Sequence, residues 1–362
     1  MSGMTMARTR TLVRSDYIVI GGGAAAVVLA ALTRFVGGGA VPAFVCAAVA
    51  VTLLASLVGR SVEQLGDRFG PGATGVLQSA LGNLPELFIA LFALRAGLVD
   101  VVKAALIGSI LANLLLVLGL CFVVGGLKHG TQKLDSERAR SIIVLMVLSV
   151  AALVLPSLAH FLHTPASKHE NTLSLIVSAI LLLLFVLTLP ASLRRGSNQQ
   201  SEESMQVEPP RWPLALAVGL LALAAVLAAF VSDWFVQALT PSMEQIGVPK
   251  AFAGLVIVAI AGNAVENTAG VVLALKGEAD LAISVVKNSV AQITAFLFPA
   301  LVLVSLLFAT PLTFALDPVY IGALLLTGLA LWLITGDGEA TMFEGVALIS
   351  LYVILAVVTF YE

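Results

Sequence analysis

Two glutamates stand inside long apolar segments of this chain, each at the end of the same short motif. The first motif is Gly82–Glu86, read Gly-Asn-Leu-Pro-Glu, and the second is Gly262–Glu266, read Gly-Asn-Ala-Val-Glu. Their offset, 266 − 86, is 180 residues. An acidic residue at the middle of a transmembrane helix costs about 2.5–3.5 kcal/mol on insertion scales. Two such carboxylates in two copies of one motif predict one shared function.

A hydroxyl and an amide follow each glutamate on the next apolar segment. The first half has Ser109 and Asn113, and the second has Ser289 and Gln292, whose offsets (289 − 109 and 292 − 113) are 180 and 179 residues. Residues four apart share a helix face, as Ser109 and Asn113 do, and as Asn288 and Gln292 do. Each half is therefore expected to place a carboxylate helix beside a helix of amide and hydroxyl groups.

This set of side chains predicts a site for a hard cation. Ca²⁺ takes six to eight oxygen ligands, which include carboxylates, amide carbonyls, backbone carbonyls and water. The set offers oxygen without sulfur or imidazole, which disfavours soft metals. We expect the two glutamates to bind the metal and no resident cofactor to be needed. The predicted cation- and proton-binding residues are Glu86, Glu266, Asn83, Asn263, Asn113, Gln292, Ser109 and Ser289.

Both motifs also predict broken helices. Gly82 and Pro85 loosen the first, because a proline inside a helix removes one hydrogen bond and strains against the carbonyl four residues earlier, here Leu81. Carbonyls freed at such a break are suitable cation ligands. The second motif has Val265 in place of the proline, so we expect its break to depend on Gly262 alone.

The elements that must position these groups are membrane-spanning helices. The chain has 362 residues, of which 59% are hydrophobic and 11% charged, and a mean hydropathy of +1.06. That composition predicts an all-α polytopic membrane protein. Cys46 and Cys121 lie in apolar segments, which argues against a disulfide framework. The net charge of −2, without a basic block, gives no indication of nucleic-acid binding.

Hydropathy predicts eleven spans. Their approximate limits are 17–34, 39–59, 72–96, 101–125, 140–163, 172–193, 212–239, 250–275, 280–308, 317–335 and 342–361. The basic N-terminal stretch resembles the start of a signal peptide, but no small-residue cleavage site precedes a soluble sequence, so we expect an uncleaved first helix.

Positive charge predicts the orientation in the membrane. Five Lys and Arg residues fall on the side opposite the N-terminus: Arg34, Arg95, Lys103, Lys168 and Lys250. Thirteen fall on the N-terminal side: Arg8, Arg10, Arg14, Arg60, Arg68, Lys128, Lys133, Arg138, Arg140, Arg194, Arg195, Arg211 and Lys276. The N-terminus is therefore expected in the cytoplasm, in a plasma (inner) membrane protein. Lys287, the nineteenth, lies within a span.

The two motifs then cross the membrane in opposite directions, because they lie in the third and eighth spans, an odd number apart. This is an inverted-topology repeat, which places a substrate site near the midplane between the halves. We expect a 1 + 5 + 5 arrangement. Its parts are an N-terminal segment with an extra helix (1–38), a first five-helix repeat (39–193), a polar linker (194–211) and a second repeat (212–362).

The same carboxylates can carry protons. When the cation leaves, unpaired carboxylates in an apolar site favour the protonated form, so cation and proton compete for them. Lys287 has two interpretations: its side chain snorkels to the cytoplasmic interface, or it neutralises a carboxylate in the cation-free state. Asn288 beside it is the second candidate for such a modulatory role.

The chain resembles the CAX family of Ca²⁺/H⁺ (cation/proton) exchangers, within the Ca²⁺/cation antiporter superfamily. Gly82 to Gly119 matches the family's first repeat, G-N-x-x-E-L…A-L-x-x-G…G-S-I-L-x-N-L-L-L-V-L-G, nearly throughout, and Gly262 to Pro299 matches the second. The resemblance implies secondary active antiport of Ca²⁺ against protons across a lipid bilayer, with the matching Glu, Asn, Ser and Gln lining the site. Asn267 stands where eukaryotic members usually have His, which argues against imidazole-based pH sensing.

Other functions stay open at this point. A Na⁺-driven Ca²⁺ exchanger of the same superfamily is an alternative, although such proteins typically have Thr or Ser where this chain has Asn83 and Asn263. A membrane-embedded enzyme is disfavoured, because the sequence has neither an HExxH pair nor a G-x-S-x-G elbow. A passive channel fits occluded carboxylates poorly.

Each site residue also has a purely structural interpretation. The glutamates could be hydrogen-bonded acids between helices. The asparagines and Gln292 could steady helix contacts, and the serines could simply allow close packing.

Overall fold

The chain is helical through most of its described length. The computed structural model describes residues 12–69, 77, 81–134, 150–199, 210–334 and 338–361. In chain order the α-helices are α1 (Arg14–Leu32), α2 (Ala40–Phe69), α3 (Leu84–Arg95), α4 (Val99–Leu111), α5 (Leu118–His129), α6 (Val150–Phe161), α7 (Glu170–Gln199), α8 (Leu214–Ile246), α9 (Lys250–Phe252), α10 (Ala259–Gly262), α11 (Ala264–Lys276), α12 (Ala279–Gln292), α13 (Phe298–Ser305), α14 (Pro318–Ile334) and α15 (Met342–Phe360).

Wider π-helical turns join several of these helices into longer spans. Thr33–Gly37 follows α1, Ala112–Val117 joins α4 to α5, Ala253–Val258 joins α9 to α10, and Ile293–Leu297 joins α12 to α13. A short 3₁₀ turn, Pro165–His169, precedes α7. Single π-helical turns are frequent at functional sites. Two of the four adjoin the predicted site, since Asn113 lies in one and Gln292 immediately precedes another.

Membrane-spanning character is clear within the described residues. Seven helices are long and apolar enough to cross a bilayer, or eight if the bent pair Lys250–Gly262 and Glu266–Lys276 forms one span. Val150–Phe161 and Pro318–Ile334 are shorter apolar helices. The prediction of an all-α polytopic membrane protein is confirmed. The predicted spans 72–96 and 140–163 begin outside the described residues, so the count of eleven stays a prediction.

The long helices α2 and α8, the first of each proposed repeat, pack against one another. Phe44 and Phe235 stack between them, with ring centroids 4.7 Å apart. Helix α7 continues to Gln199, six residues into the predicted polar linker, while 200–209 fall outside the described part.

Two glycines bring the halves into backbone contact beside the site. A Cβ atom added at Gly108 of α4 would overlap the carbonyl oxygen of Leu255. A Cβ added at Gly254 would lie 2.7 Å from the Ala104 Cβ. Small residues permit such approaches between membrane helices. This crossing holds the second half's broken helix against the helix that carries Ser109.

The halves also join through a minimal antiparallel sheet. Strand β1 (Gln132–Lys133) follows α5, and strand β2 (Glu339–Ala340) precedes α15. Gln132 pairs with Ala340, and Lys133 pairs with Glu339. The sheet lies at the ends of helices, where strands can meet water instead of lipid.

Candidate cation site

Each motif breaks its helix at the asparagine. Asn83 has φ −97° and ψ 20°, and Asn263 has φ −99° and ψ 19°. These angles lie close to the bridge region, between helix and strand, where active-site residues are often found. The same residue type in the same conformation precedes α3 and α11, and in the second copy the flanking helices are bent by 60°. The two breaks are therefore structural copies.

The structure changes the expected role of Pro85 in the first break. Pro85 occupies the first turn of α3, where a helix needs no amide donor, so it begins a helix instead of straining against Leu81. In the second copy the helix ends at Gly262 and Asn263 adopts the non-helical angles, so the dependence of this break on Gly262 alone stays a prediction. Gly262 also lies close to the first motif: a Cβ there would lie 3.7 Å from the Cγ and Cδ atoms of Glu86.

Asn263 is the centre of a hydrogen-bond network that joins the halves. Its Oδ1 accepts from Asn113 Nδ2 at 2.8 Å and from Ser289 Oγ at 3.4 Å. Its Nδ2 donates to Ser109 Oγ at 2.8 Å and to the Ala259 carbonyl at 2.9 Å. Asn263 is only 1% exposed. The network therefore positions residues from α4, the following π turn, α12 and the second break around one buried amide.

Glu86 joins this network through Ser109, whose hydroxyl donates to its Oε1 atom. The Glu86 side chain is buried, and its Oε2 atom has no hydrogen-bond partner among the described residues. A buried unpaired acceptor is costly unless a proton or a cation occupies it. The Asn113 Oδ1 atom is also buried, and no described residue donates a hydrogen bond to it.

The remaining predicted ligands are held more loosely. Asn83 Nδ2 donates to Gln292 Oε1 at 3.3 Å, a second bond between the halves. Glu266 is half-buried, and no described side chain hydrogen-bonds to its carboxylate. The two glutamates are close enough to interact electrostatically. The structure thus brings all eight predicted ligands into one region, although only some are tightly bonded.

The donor set fits a hard cation that uses amide and hydroxyl oxygens beside two carboxylates. The described residues contain no group of three or more His, Cys, Asp or Glu side chains able to hold a metal ion. Orphaned oxygens on Glu86 and Asn113 are of the kind that Ca²⁺ prefers.

The two modulatory candidates, Lys287 and Asn288, differ in burial. Asn288 is exposed, so it does not share the buried environment of Ser289 and Gln292. Lys287 is half-buried, and neither of its two interpretations is tested. Ser284, on the same helix, donates to the Asp280 carbonyl at 2.8 Å.

Sequence reasoning missed a polar pair on the first helices of the two proposed repeats. The Thr52 hydroxyl on α2 donates to the carbonyl of Ala261, next to the second break, at 3.4 Å. Its counterpart 180 residues later, Ser232 on α8, is buried, and its hydroxyl has no partner among the described residues. Asn267 also buries an unpaired Oδ1 atom, one residue after Glu266. The offset of 180 could have found the Thr52–Ser232 pair.

Comparisons with known proteins agree with this architecture. The family model described as "Sodium/calcium exchanger protein" matches residues 39–193 and 216–361. The Ca²⁺/H⁺ antiporter ChaA of Bacillus subtilis is 37% identical over 316 residues, covering 85% of this chain and 89% of that protein. A Ca²⁺/H⁺ antiporter of Aphanothece halophytica is 31% identical, covering 88% of this chain and 90% of that protein.

A solved structure has a similar fold. The structure of native YfkE superposes with a TM-score of 0.82 at 32% sequence identity, covering 95% of this chain and all of that one. The family is one of membrane antiporters, in agreement with the resemblance seen in the two motifs. With its matched segments spanning most of both halves, this chain belongs to the sodium/calcium exchanger protein family.

Proposed function

We propose that this protein is a secondary active antiporter that exchanges Ca²⁺ for H⁺ by alternating access. The single observation that carries the proposal is the buried Glu86 Oε2 atom, left without a partner inside a network built from both halves. The relatives from Bacillus subtilis and Aphanothece halophytica, named Ca²⁺/H⁺ antiporters and aligned over most of their length, support the same activity.

Glu86 and Glu266 are the proposed exchange groups. With Ca²⁺ bound, both carboxylates contribute oxygen ligands, and amide and hydroxyl oxygens complete the coordination. When Ca²⁺ leaves, two neighbouring carboxylates in an apolar site favour the protonated form. The site then holds either the cation or protons, which is the condition for coupled exchange. The further proposed ligands are Asn83, Asn263, Asn113, Gln292, Ser109 and Ser289.

The architecture we propose around this site has eleven spans, one outside two inverted five-helix repeats. Its support is the 180-residue repeat, the equal dihedral angles at the two asparagines, and the two matched family segments. We place the N-terminus in the cytoplasm, on the evidence of positive charge, and the protein in the plasma membrane. No enzymatic activity is proposed.

The alternative coupling ion is Na⁺, since the family includes exchangers named for it. Asn83 and Asn263 favour proton coupling in our interpretation, because the Na⁺-coupled pattern has hydroxyl residues there.

Reconstituted protein provides the test. Purified protein in proteoliposomes should take up radioactive Ca²⁺ when a pH gradient is imposed, and not when a Na⁺ gradient replaces it. Glu86→Gln and Glu266→Gln should each abolish uptake, because a neutral amide can neither release a proton nor balance the divalent charge. Glu244→Gln, at an exposed glutamate on α8, is the matched control and should transport normally.

Uptake that follows only the Na⁺ gradient would reverse the coupling assignment. Proton-coupled uptake that survives both glutamate substitutions would remove the proposed mechanism.

A further inference from the structure

A cavity of about 500 Å³ lies between α1, α2 and α11. Arg211 and Trp212, where the predicted linker meets the segment before α8, also line it. Its walls include six polar or charged side chains from α1, α2 and the segment before α8. Such a concentration is unusual in a chain of which only 11% is charged. The cavity is separate from the network around Asn263, none of whose members lines it.

The cavity ends about one helical turn from the site. Ala269, on its α11 wall, follows Glu266 by three residues, about 4.5 Å along a helix axis. Ser56, on its α2 wall, precedes Arg60 by one turn and follows Thr52 by another. The Ser56 hydroxyl donates to the Thr52 carbonyl at 3.1 Å, and Thr52 reaches the second break. A chain of two hydrogen bonds therefore joins the cavity wall to the broken helix.

Four charged side chains line the cavity, and their formal charges cancel. The acidic residues are Asp16 and Glu63, and the basic ones are Arg60 and Arg211. Asp16 belongs to α1, the helix outside the proposed repeats. A cavity that a divalent cation must cross cannot carry excess positive charge without repelling the cation. Asp16 therefore removes an electrostatic barrier that Arg60 would otherwise create.

Both carboxylate oxygens of Asp16 have hydrogen-bond partners. It is 1% exposed, and its Oδ1 atom pairs with Arg60 Nη1 at 2.8 Å. Its Oδ2 atom accepts from the Val13 amide at 2.9 Å and from Trp212 Nε1 at 3.3 Å. Arg60 Nη1 also donates to Ser15 Oγ at 3.0 Å. Both ends of the ion pair are fixed, so the guanidinium is drawn against α1.

We propose that Asp16 is a positioning residue for cation entry, which neutralises Arg60 and holds it at the wall of the linker-side path to Glu86 and Glu266. The inference rests on the proposed function and adds a role for the helix outside the repeats. Removing the Asp16 charge leaves the lining with a net charge of +1, because two basic residues then face one acidic residue. The cation then meets a repulsive entrance, while the site beyond it is unaltered.

The experiment compares charge variants by Ca²⁺ uptake into proteoliposomes, at low and at high ionic strength. Asp16→Asn keeps an oxygen to accept from Val13 and Trp212 but loses the charge. We expect the KM for Ca²⁺ to rise about threefold to tenfold at low salt, with kcat nearly unchanged and the rise shrinking at high salt. Glu63→Gln, at an exposed position, gives the same net charge and should act alike.

The double variant Asp16→Asn/Arg60→Gln restores a balanced lining and should return the KM to near the unaltered value. A purely structural role for Asp16 predicts the opposite, since removing Arg60 as well would repair no lost contact. If Asp16→Asn does not fold, Glu63→Gln still gives the charge test.

An unchanged KM in Glu63→Gln and in folded Asp16→Asn overturns the inference, as does a raised KM of Asp16→Asn that adding Arg60→Gln fails to lower. In those cases the unaltered protein still exchanges Ca²⁺ for protons, so the proposed function stands. If the unaltered protein shows no such exchange, the proposed function fails, and this inference fails with it.

Discussion

The two helix breaks have nearly the same backbone conformation at their asparagines. They differ in which side chain is buried and hydrogen-bonded. In the first, the carboxylate of Glu86 is buried and bonded to Ser109, while Asn83 makes one long bond. In the second, Asn263 is buried with four hydrogen bonds, while Glu266 is half-buried without a described partner. The tightly held member is the glutamate in one copy and the asparagine in the other.

This difference teaches that a duplicated motif need not give two equal half-sites. Asn263 acts as the structural centre, because its amide joins α4 to α12 across the two halves. Glu266 and Asn83 are held by fewer hydrogen bonds among the described residues than Glu86 and Asn263, respectively, are. The following substitutions, paired across the repeat, measure that difference.

The largest contrast is expected between the two asparagines. Asn263→Ala leaves the groups of Asn113, Ser109 and Ser289 without their buried partner, and should lower the free energy of unfolding by about 2–3 kcal/mol. It should also abolish transport. Asn83→Ala removes one long bond and should cost under about 1 kcal/mol. Denaturation in mixed detergent micelles measures both, and equal losses would contradict the assignment of Asn263 as the centre.

The serines give the next contrast. Ser109→Ala removes the donor to Glu86 and the acceptor for Asn263, so we expect a loss of about 1–2 kcal/mol and a raised KM for Ca²⁺. Ser289→Ala removes only a 3.4 Å bond and should cost under about 0.5 kcal/mol. Thermal melting measures the stability of the two variants, and Ca²⁺ uptake measures their KM. A larger effect at Ser289 would mean that the network is centred on α12 instead.

Pro85 distinguishes the two explanations of the first break. Because it lies in the first turn of α3, Pro85→Ala should retain transport and change stability by under about 1 kcal/mol, mostly through the unfolded chain. Uptake assays with Asn83→Ala alongside make the comparison. Loss of transport in Pro85→Ala alone would restore the proline as the cause of the break.

The smallest contrast concerns Thr52 and Ser232. Thr52→Val loses the bond to Ala261 and should cost about 0.5 kcal/mol. Ser232→Ala removes a buried hydroxyl without a described partner, so stability should stay the same or rise slightly. Melting temperatures in detergent show whether each substitution lowers or raises the stability. A clear loss in Ser232→Ala would show that this hydroxyl is bonded in the protein's main state.

Sequence alone predicted the helical membrane class, because long apolar segments are a strong and local signal. The eight proposed cation- and proton-binding residues stay predictions. The role of Pro85 in the first break was misjudged, since a proline is a helix breaker in the interior and a helix starter at the first turn, and sequence does not show where a turn begins. The role of Thr52 was missed because one hydroxyl in an apolar helix has many uses.

The role of Asn263 as the centre was equally out of reach from sequence. It depends on the crossing of Gly108 against Leu255, a contact between residues 147 positions apart (255 − 108). Motif copies related by a repeat look alike in sequence, so their unequal burial emerges only when both halves are packed together.

The network around Asn263 also constrains the order of biosynthesis. Ser109, Asn113 and Glu86 belong to the half that a ribosome makes first, and their amide partner is synthesised about 150 residues later (263 − 113). Until then these polar groups lack the partner that the complete fold provides. Two fragments divided within the central linker should each be inactive and unstable, yet recover a working site when both are produced in the same cell.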